Sequence, residues 1–398
     1  MPTADTNTMK ILHIIDSGGL YGAENVLLNL AEQQVQLGLE PEIASLGRKE
    51  ITEKPIEREA RAMGLPVSVF RMRRGPNLSG MLRVRRYALE NGFDLMHSHG
   101  YKGNILLGFM PKGFRRLPMI TTLHGYMSTG GITRMRFYEW LDRAVLRRLE
   151  RVVLVSETMK SHPRLSALKG THYTVIQNGI SEVGKRGEHT SESYYKLLAD
   201  FCENGFIIGA VGRLSPEKGF DCLIEAFGKV AGNAPEAKLV ILGEGRMREM
   251  LEAKVTALGL ADRVLMPGYV SNAAGYMGFF DIFVLSSITE GLPMTLLEAM
   301  HEALPIVSTK AGGVVNVLLD GETGLLVPHS DPSALAAGIK KLYLDADLRQ
   351  TLGSAARQEG LGKYSSQQMT LKYLAVYRDV LQNRPQRYPG RRQADFAK

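Results

Sequence analysis

Two glutamates separated by seven residues, in Glu290-Gly-Leu-Pro-Met-Thr-Leu-Leu-Glu298, have the types and spacing to hold a polyhydroxylated ligand. The stretch follows the apolar run Asp281-Ile-Phe-Val-Leu-Ser286 and opens a helix. Pro293 is preset for a first helical position, and good helix formers follow it. Backbone N–H groups near Leu292 to Thr295 are then unpaired donors at the positive end of a helix, where phosphate binds. Glu290 falls just before that end, and Glu298 about one and a half turns inside it. Carboxylates on each side of a diphosphate would accept sugar hydroxyls, which describes a nucleotide-sugar site. The same spacing also fits a plain helix, because the macrodipole favours acidic residues near an N-terminus.

Other chemistry-bearing residues fall at strand ends. Val211-Gly212-Arg213-Leu-Ser-Pro-Glu-Lys218-Gly219 puts two cations beside a helix expected to begin near Lys218. Together they could neutralise a diphosphate, or simply be solvated in a surface turn. Asp16-Ser-Gly18-Gly19-Leu-Tyr-Gly22 follows the first strand, and its glycines allow close backbone approach. It is not the dinucleotide fingerprint. Thr121-Thr-Leu-His124-Gly125 ends another strand, so His124 is either a ligand contact or a satisfied core histidine. His97 and His99 alternate as in a strand, with no third ligand at metal spacing, and His97 is a candidate for the acceptor side. Asp345-Ala-Asp347 could suggest a metal, yet Asp347 reads as a helix N-cap. No metal and no cofactor are expected.

These motifs, with Glu298-Ala-Met-His-Glu-Ala-Leu-Pro-Ile-Val-Ser, Ala311-Gly-Gly and Asp320-Gly-Glu-Thr-Gly-Leu-Leu-Val-Pro, resemble the retaining glycosyltransferases of family 4, from residue 11 to about 381. The resemblance implies the GT-B fold, an α/β pair of Rossmann-like doubly wound parallel-sheet domains facing a central cleft. It implies that Glu298 holds the ribose and Glu290 the donor sugar. Amides from Gly291 through Leu292, Pro293 and Met294 to Thr295 would lie along the diphosphate, with Arg213 and Lys218 stabilising the leaving group. Gly18 and Gly19 would face the donor phosphates and the acceptor, and His124 the sugar. Gly212, Gly243 and Glu244 would lie near the nucleotide, and Tyr269 and Val270 beside its base. Asn316, Leu304 and Ser181 depart from the common pattern at places that bear on subfamily rather than on these residues.

Between and around these motifs, short apolar segments alternate with amphipathic ones. Strands are expected at 11–15, 42–46, 67–70, 95–97, 119–123, 152–155 and 173–176. A second series follows at 206–211, 239–242, 264–266, 282–285, 306–308 and 325–327. Helices such as 23–37, 133–149, 220–230 and 333–343 lie between them. Alternation of this kind calls for parallel sheets covered on both faces. Chain length favours two cores over one. Domains are expected at 1–182 and 194–364, joined by a polar, turn-rich linker near 180–193. A helix at 365–383 should pack back on the first domain through Leu371, Tyr373, Leu374, Tyr377 and Leu381. The charged segment 384–398 reads as a mobile tail.

Charge divides unevenly, with a net of +9 over residues 1–185 and −1 over 186–398. Arginines concentrate at 71–86 and 134–151, which suits an anionic membrane or a lipid-linked acceptor as well as a solvated face. No motif or aromatic platform points to nucleic acid. Two cysteines make no disulfide framework, and no apolar run is long enough for a membrane span. The chain reads as cytoplasmic, with peripheral contact on the inner face of a membrane. The expected activity is transfer of a hexosyl or N-acetylhexosaminyl unit from a nucleoside diphosphate sugar, UDP ahead of GDP, to a saccharide or lipid-linked acceptor. A nucleotide-sugar epimerase of the same fold and a non-catalytic nucleotide-sugar-binding subunit are the alternatives.

Overall fold

The computed structural model describes residues 8–73, 77–124, 134–161, 165, 173–180, 192–270 and 272–383. It divides into two units, Met1–Gly179 with Ser366–Lys398, and Ile180–Ser365. The segment 384–398 and most of the expected linker lie outside the described residues.

Strands and helices alternate through the first unit: β1 (Lys10–Ile15), α1 (Gly22–Gln36), β2 (Glu40–Arg48), α2 (Pro55–Ala62), β3 (Val67–Met72), α3 (Leu78–Glu90) and β4 (Leu95–His99). There follow α4 (Tyr101–Gly108), α5 (Lys112–Arg115), β5 (Met119–Leu123), α6 (Arg134–Leu146), β6 (Arg151–Leu154) and β7 (Tyr173–Val175). The second unit runs α7 (Glu192–Cys202), β8 (Phe206–Val211), α8 (Phe220–Ala231), β9 (Ala237–Leu242), α9 (Arg248–Ala257), β10 (Val264–Gly268) and β11 (Ile282–Leu285). It closes with α10 (Met294–His301), β12 (Ile306–Thr309), β13 (Leu325–Val327), α11 (Pro332–Leu344) and α12 (Ala346–Lys363), and α13 (Ser366–Gln382) then belongs to the first unit.

Both sheets are parallel throughout, in the orders β3-β2-β1-β4-β5-β6-β7 and β10-β9-β8-β11-β12-β13. Strand order reverses between β1 and β4 in one and between β8 and β11 in the other. Such switch points open a crevice beyond the carboxyl ends of the strands. Every residue of β4 and β5 is buried, as expected for strands covered on both faces. Leu12 and Ile14 join one core cluster and Ile15 another, which is the period-two alternation of a strand between two helical layers. In the second unit, α8, α9 and α11 pack on β8, β9 and β11 through one cluster built around Leu223, Phe227, Leu239 and Ile339. No helix among the described residues is long and apolar enough to cross a membrane.

Several local expectations shift by small amounts. Pro293 is the N-cap of α10, one position before the helix, with an extended ψ of 127°. Asp345, not Asp347, caps α12: its carboxylate accepts from Leu348 N at 2.9 Å, while Asp347 sits in the first turn. Lys218 ends a 3-10 turn, and α8 starts only after Gly219. On α13, Tyr373, Tyr377 and Leu381 are buried, whereas Leu371 points to solvent. Arginines of the expected basic patches are partly engaged within the unit. Arg71 pairs with Glu57 at 2.9 Å, Arg85 lies over Phe114, and Arg151 pairs with Asp379. Arg74 and the side chains of Arg134 and Arg136 lie outside the described residues.

Candidate active site

In the second unit, the turns after β8 and β11 come together at the switch point. Lys218 Nζ donates to Glu290 Oε1 at 2.5 Å, and Ser287 Oγ donates to the same oxygen at 2.6 Å. Hydrogen bonds to backbone carbonyls lock the two turns: Ser286 Oγ donates to that of Lys218 at 2.9 Å, and Ile288 N to that of Glu217 at 2.8 Å. Both contacts to the Glu290 carboxylate fall on Oε1, so Oε2 is turned to neither. Gly313 N donates to the Glu290 carbonyl at 3.2 Å, and a Cβ on Gly312 (φ +50°) would lie 1.9 Å from that oxygen. Glu290 is therefore held through its side chain by Lys218 and Ser287 and through its carbonyl by Gly313.

Glu298 follows within α10 and is buried, while Arg213 is exposed on the turn after β8. Leu292, Pro293 and Met294 are buried, and Gly291 and Thr295 are half-buried along the start of α10. Leu296 N donates to the Pro293 carbonyl at 3.2 Å, and the amides of Met294 and Thr295, which precede it in the first turn, are at the helix end where an anion binds. Gly243 and Glu244 brace the neighbouring turn. Leu214 N donates to the Glu244 carbonyl at 3.0 Å, and a Cβ on Gly243 would lie 1.8 Å from the Gly212 carbonyl. The Glu244 carboxylate is taken by Arg248 at 2.7 Å. Tyr269 is exposed and Val270 buried just after β10.

The first unit presents a second constellation beyond β1, β4 and β5. Asp16 follows β1 and holds Lys54 at 2.5 Å and also Lys102. Burial works against its charge, but the two ammonium groups outweigh this and keep the carboxyl below its ordinary range. Gly18 has open space around it, and Gly19 N donates to Ser17 Oγ at 3.2 Å. His124 comes directly after β5. It is half-buried, and its Nδ1 is covered with no hydrogen-bond partner among the described residues. Burial lowers its pKa to about 4, so the ring is neutral near pH 7.

His97 does not line a ligand surface as expected. It is fully buried, with Nδ1 2.8 Å from Tyr377 Oη and Nε2 2.8 Å from Thr122 Oγ1. Parallel register places His13 beside His97, and His99 beside Thr122. His13, His97, His99, Thr122 and His124 thus share one face of the sheet, two residues apart along each strand.

The profile of "Glycosyltransferase Family 4" matches residues 21–182, and that of "Glycosyl transferases group 1" matches residues 200–359. An alpha-D-kanosaminyltransferase from Streptomyces kanamyceticus is 31% identical over 76% of this chain and 82% of its own. The chain belongs to the family 4 glycosyltransferases. A capsular polysaccharide biosynthesis glycosyltransferase from Staphylococcus aureus is 29% identical over 58% of this chain, a match that spans only 62% of that protein's length. Among solved structures, Anabaena HepE in complex with UDP and glucose superposes with a TM-score of 0.77 over 92% of this chain and 99% of its own, at 22% identity. The two parallel α/β units are those of a GT-B glycosyltransferase.

Motifs alone do not reveal Ser287, Lys54, His13 and Gln34 in this glycosyltransferase. Ser287 and Lys54 belong to no motif and act only through their tertiary contacts. His13 did carry a signal, as a polar residue inside the apolar strand Lys-Ile-Leu-His-Ile-Ile.

Proposed function

We propose that this glycosyltransferase moves a hexosyl or N-acetylhexosaminyl unit from a nucleoside diphosphate sugar to a saccharide or lipid-linked acceptor, in synthesis of a surface polysaccharide or glycolipid. The Lys218–Glu290–Ser287 cluster carries this reading, because it sets a carboxylate and a cation together where α10 begins. Lys218, Arg213 and the first amides of α10 would take the diphosphate. Glu290 would accept sugar hydroxyls, Glu298 the ribose hydroxyls, and the backbone at Tyr269 and Val270 would meet the base. His124 would contact the donor sugar. UDP is the favoured carrier, supported by the UDP-bound neighbour of like fold. The capsular polysaccharide relative supports a saccharide product.

Transfer would proceed with retention. The acceptor oxygen bonds the anomeric carbon on the face from which the diphosphate leaves, and the departing phosphate takes the acceptor's proton. Positive charge for that departure comes from Lys218, Arg213 and the helix end, so turnover is expected to survive EDTA. Loss with chelator, restored by manganese, would overturn this point.

A thermal-shift screen of nucleotide-sugars tests the donor, since a ligand that binds only the folded state raises apparent stability. Product analysis with and without acceptor then tests the reaction. Sugar should reach the acceptor only when one is present. An epimerised sugar formed from donor alone would overturn transfer.

A further inference from the structure

His124 is the last ring of a hydrogen-bonded chain that starts at Gln34. Gln34 Oε1 lies 2.8 Å from His13 Nε2, His13 Nδ1 3.0 Å from His99 Nε2, and His99 Nδ1 3.1 Å from His124 Nε2. Gln34 and His13 are fully buried, and His99 nearly so. Burial holds all four histidines of this face neutral near pH 7, so each ring carries one proton.

Proton counting then decides the tautomers. Three rings supply three protons to the three links that join Gln34, His13, His99 and His124. If Gln34 accepts at the first link, each ring must donate from Nε2, and His124 Nδ1 is left as a bare lone pair. If Gln34 donated instead, every ring would be turned over and His124 Nδ1 would carry a proton. The amide turns Nε2 to Tyr377 Oη at 3.1 Å, an arrangement that leaves Oε1 to accept from His13. Tyr377 in turn faces His97 Nδ1, and His97 Nε2 faces Thr122, which bonds Tyr373 at 2.8 Å. Reversing Gln34 would therefore reverse two chains at once.

We propose that Gln34, acting through His13 and His99, fixes His124 as the Nε2–H tautomer, so that its covered Nδ1 accepts a hydrogen bond from a hydroxyl of the sugar substrate. Gln34, His13 and His99 are positioning residues in this scheme. It rests on the reading of His124 as a sugar contact. The free Nδ1 supports it, since this atom alone in the His13–His99–His124 chain has no partner among the described residues. His13, His97 and His99 also lie close enough to suggest a metal site. A metal ion would need the lone pairs that the His13–His99 and His97–Tyr377 links already use.

The test is nitrogen-15 spectroscopy of ring-labelled histidine in the full chain, without substrate. His13, His99 and His124 should each show a protonated Nε2 and a bare Nδ1. Gln34→Glu, whose carboxylate also accepts, should keep that pattern. Gln34→Met should leave His124 a mixture of tautomers and raise KM for the donor by the inverse of the competent fraction, about twofold for an even mixture, with a smaller change in kcat. A protonated His124 Nδ1 in the wild-type protein would overturn the proposal even if the variants fail to fold. An unchanged tautomer in folded Gln34→Met would do the same, as would one equivalent of zinc displacing the three ring signals together. If the pattern holds but a bound nucleotide-sugar leaves the His124 signals unmoved, the sugar contact is overturned. The spectra need no turnover, so failure of the transfer reaction would show separately.

Discussion

Lys218 and Glu290 hold each other at 2.5 Å, and a diphosphate would compete with the carboxylate for the lysine. On the proposed reading, the pair would couple phosphate binding to the freedom of the carboxylate assigned to the sugar. Glu298→Ala should weaken nucleotide binding by roughly 1.5–3 kcal/mol, the range for a hydrogen bond to a charged group. Glu290→Ala should mainly lower kcat. Lys218→Ala removes the partner of Glu290 and, on the proposed reading, a phosphate contact. The Lys218→Ala/Glu290→Ala double variant should then depart from the sum of its two single variants by about 0.5–3 kcal/mol, as groups in one network do. Calorimetric Kd values and steady-state kinetics on the wild type, the two single variants and the double variant measure this. Strict additivity would mean that the pair is not a unit in the working enzyme.

At the scale of elements, parallel strands set the turns, and a few glycines let the turns touch. Gly243 has φ +157°, and a Cβ there would sit 1.8 Å from the Gly212 carbonyl. Gly312 has the same problem against Glu290. Neither obstacle is the end of a flexible side chain, so relief requires backbone movement. Gly243→Ala should lower stability by about 1–3 kcal/mol, as for backbone held in a sparsely populated region, and disturb the turn that bears Arg213. At Gly18, by contrast, a Cβ would meet nothing within 4 Å. Gly18→Ala should leave the denaturation midpoint unchanged, so any lost activity would report on a ligand. A destabilised Gly18→Ala with an intact Gly243→Ala would reverse this assignment.

For the whole molecule, the buried histidine face makes stability depend on pH. Burial brings His13 and His124 down to about 4, and lowers His97 and His99 well below the ordinary value. The unfolded chain titrates these groups near 6.5 and therefore binds more protons between about pH 6.5 and 4. Stability rises with pH across that window and is lost on acidification. His13 alone would account for about 3 kcal/mol. In the same unit Asp142, raised by burial to about 6, works in the opposite direction between about 4 and 6, but it is one carboxyl against four rings. The urea midpoint of the first unit should fall steadily below pH 6.5. A flat or rising midpoint down to pH 4.5 would mean that the rings are not held neutral.

Strand positions, the alternation that makes two parallel sheets, and the motifs at strand ends were all legible in the sequence, because periodicity and turn chemistry are local properties. The strands 119–123, 206–211, 282–285 and 325–327 have the expected limits. Single-position details were less legible. Pro293 as cap rather than first helical residue, and Asp345 rather than Asp347 as cap, depend on where the backbone leaves its extended state, which neighbouring residue types do not fix. The exposure of Leu371 depends on the exact rotation of α13, which an approximate apolar stripe leaves open. Only the tertiary structure decided the partners. Gln34 meets Tyr377 across 343 residues of sequence, and Lys218 meets Glu290 across 72. His97 was visible as a strand residue, but α13 buries it by bringing Tyr373 and Tyr377 over that face of the sheet. Local sequence sets which face a side chain takes, whereas packing sets what it meets there.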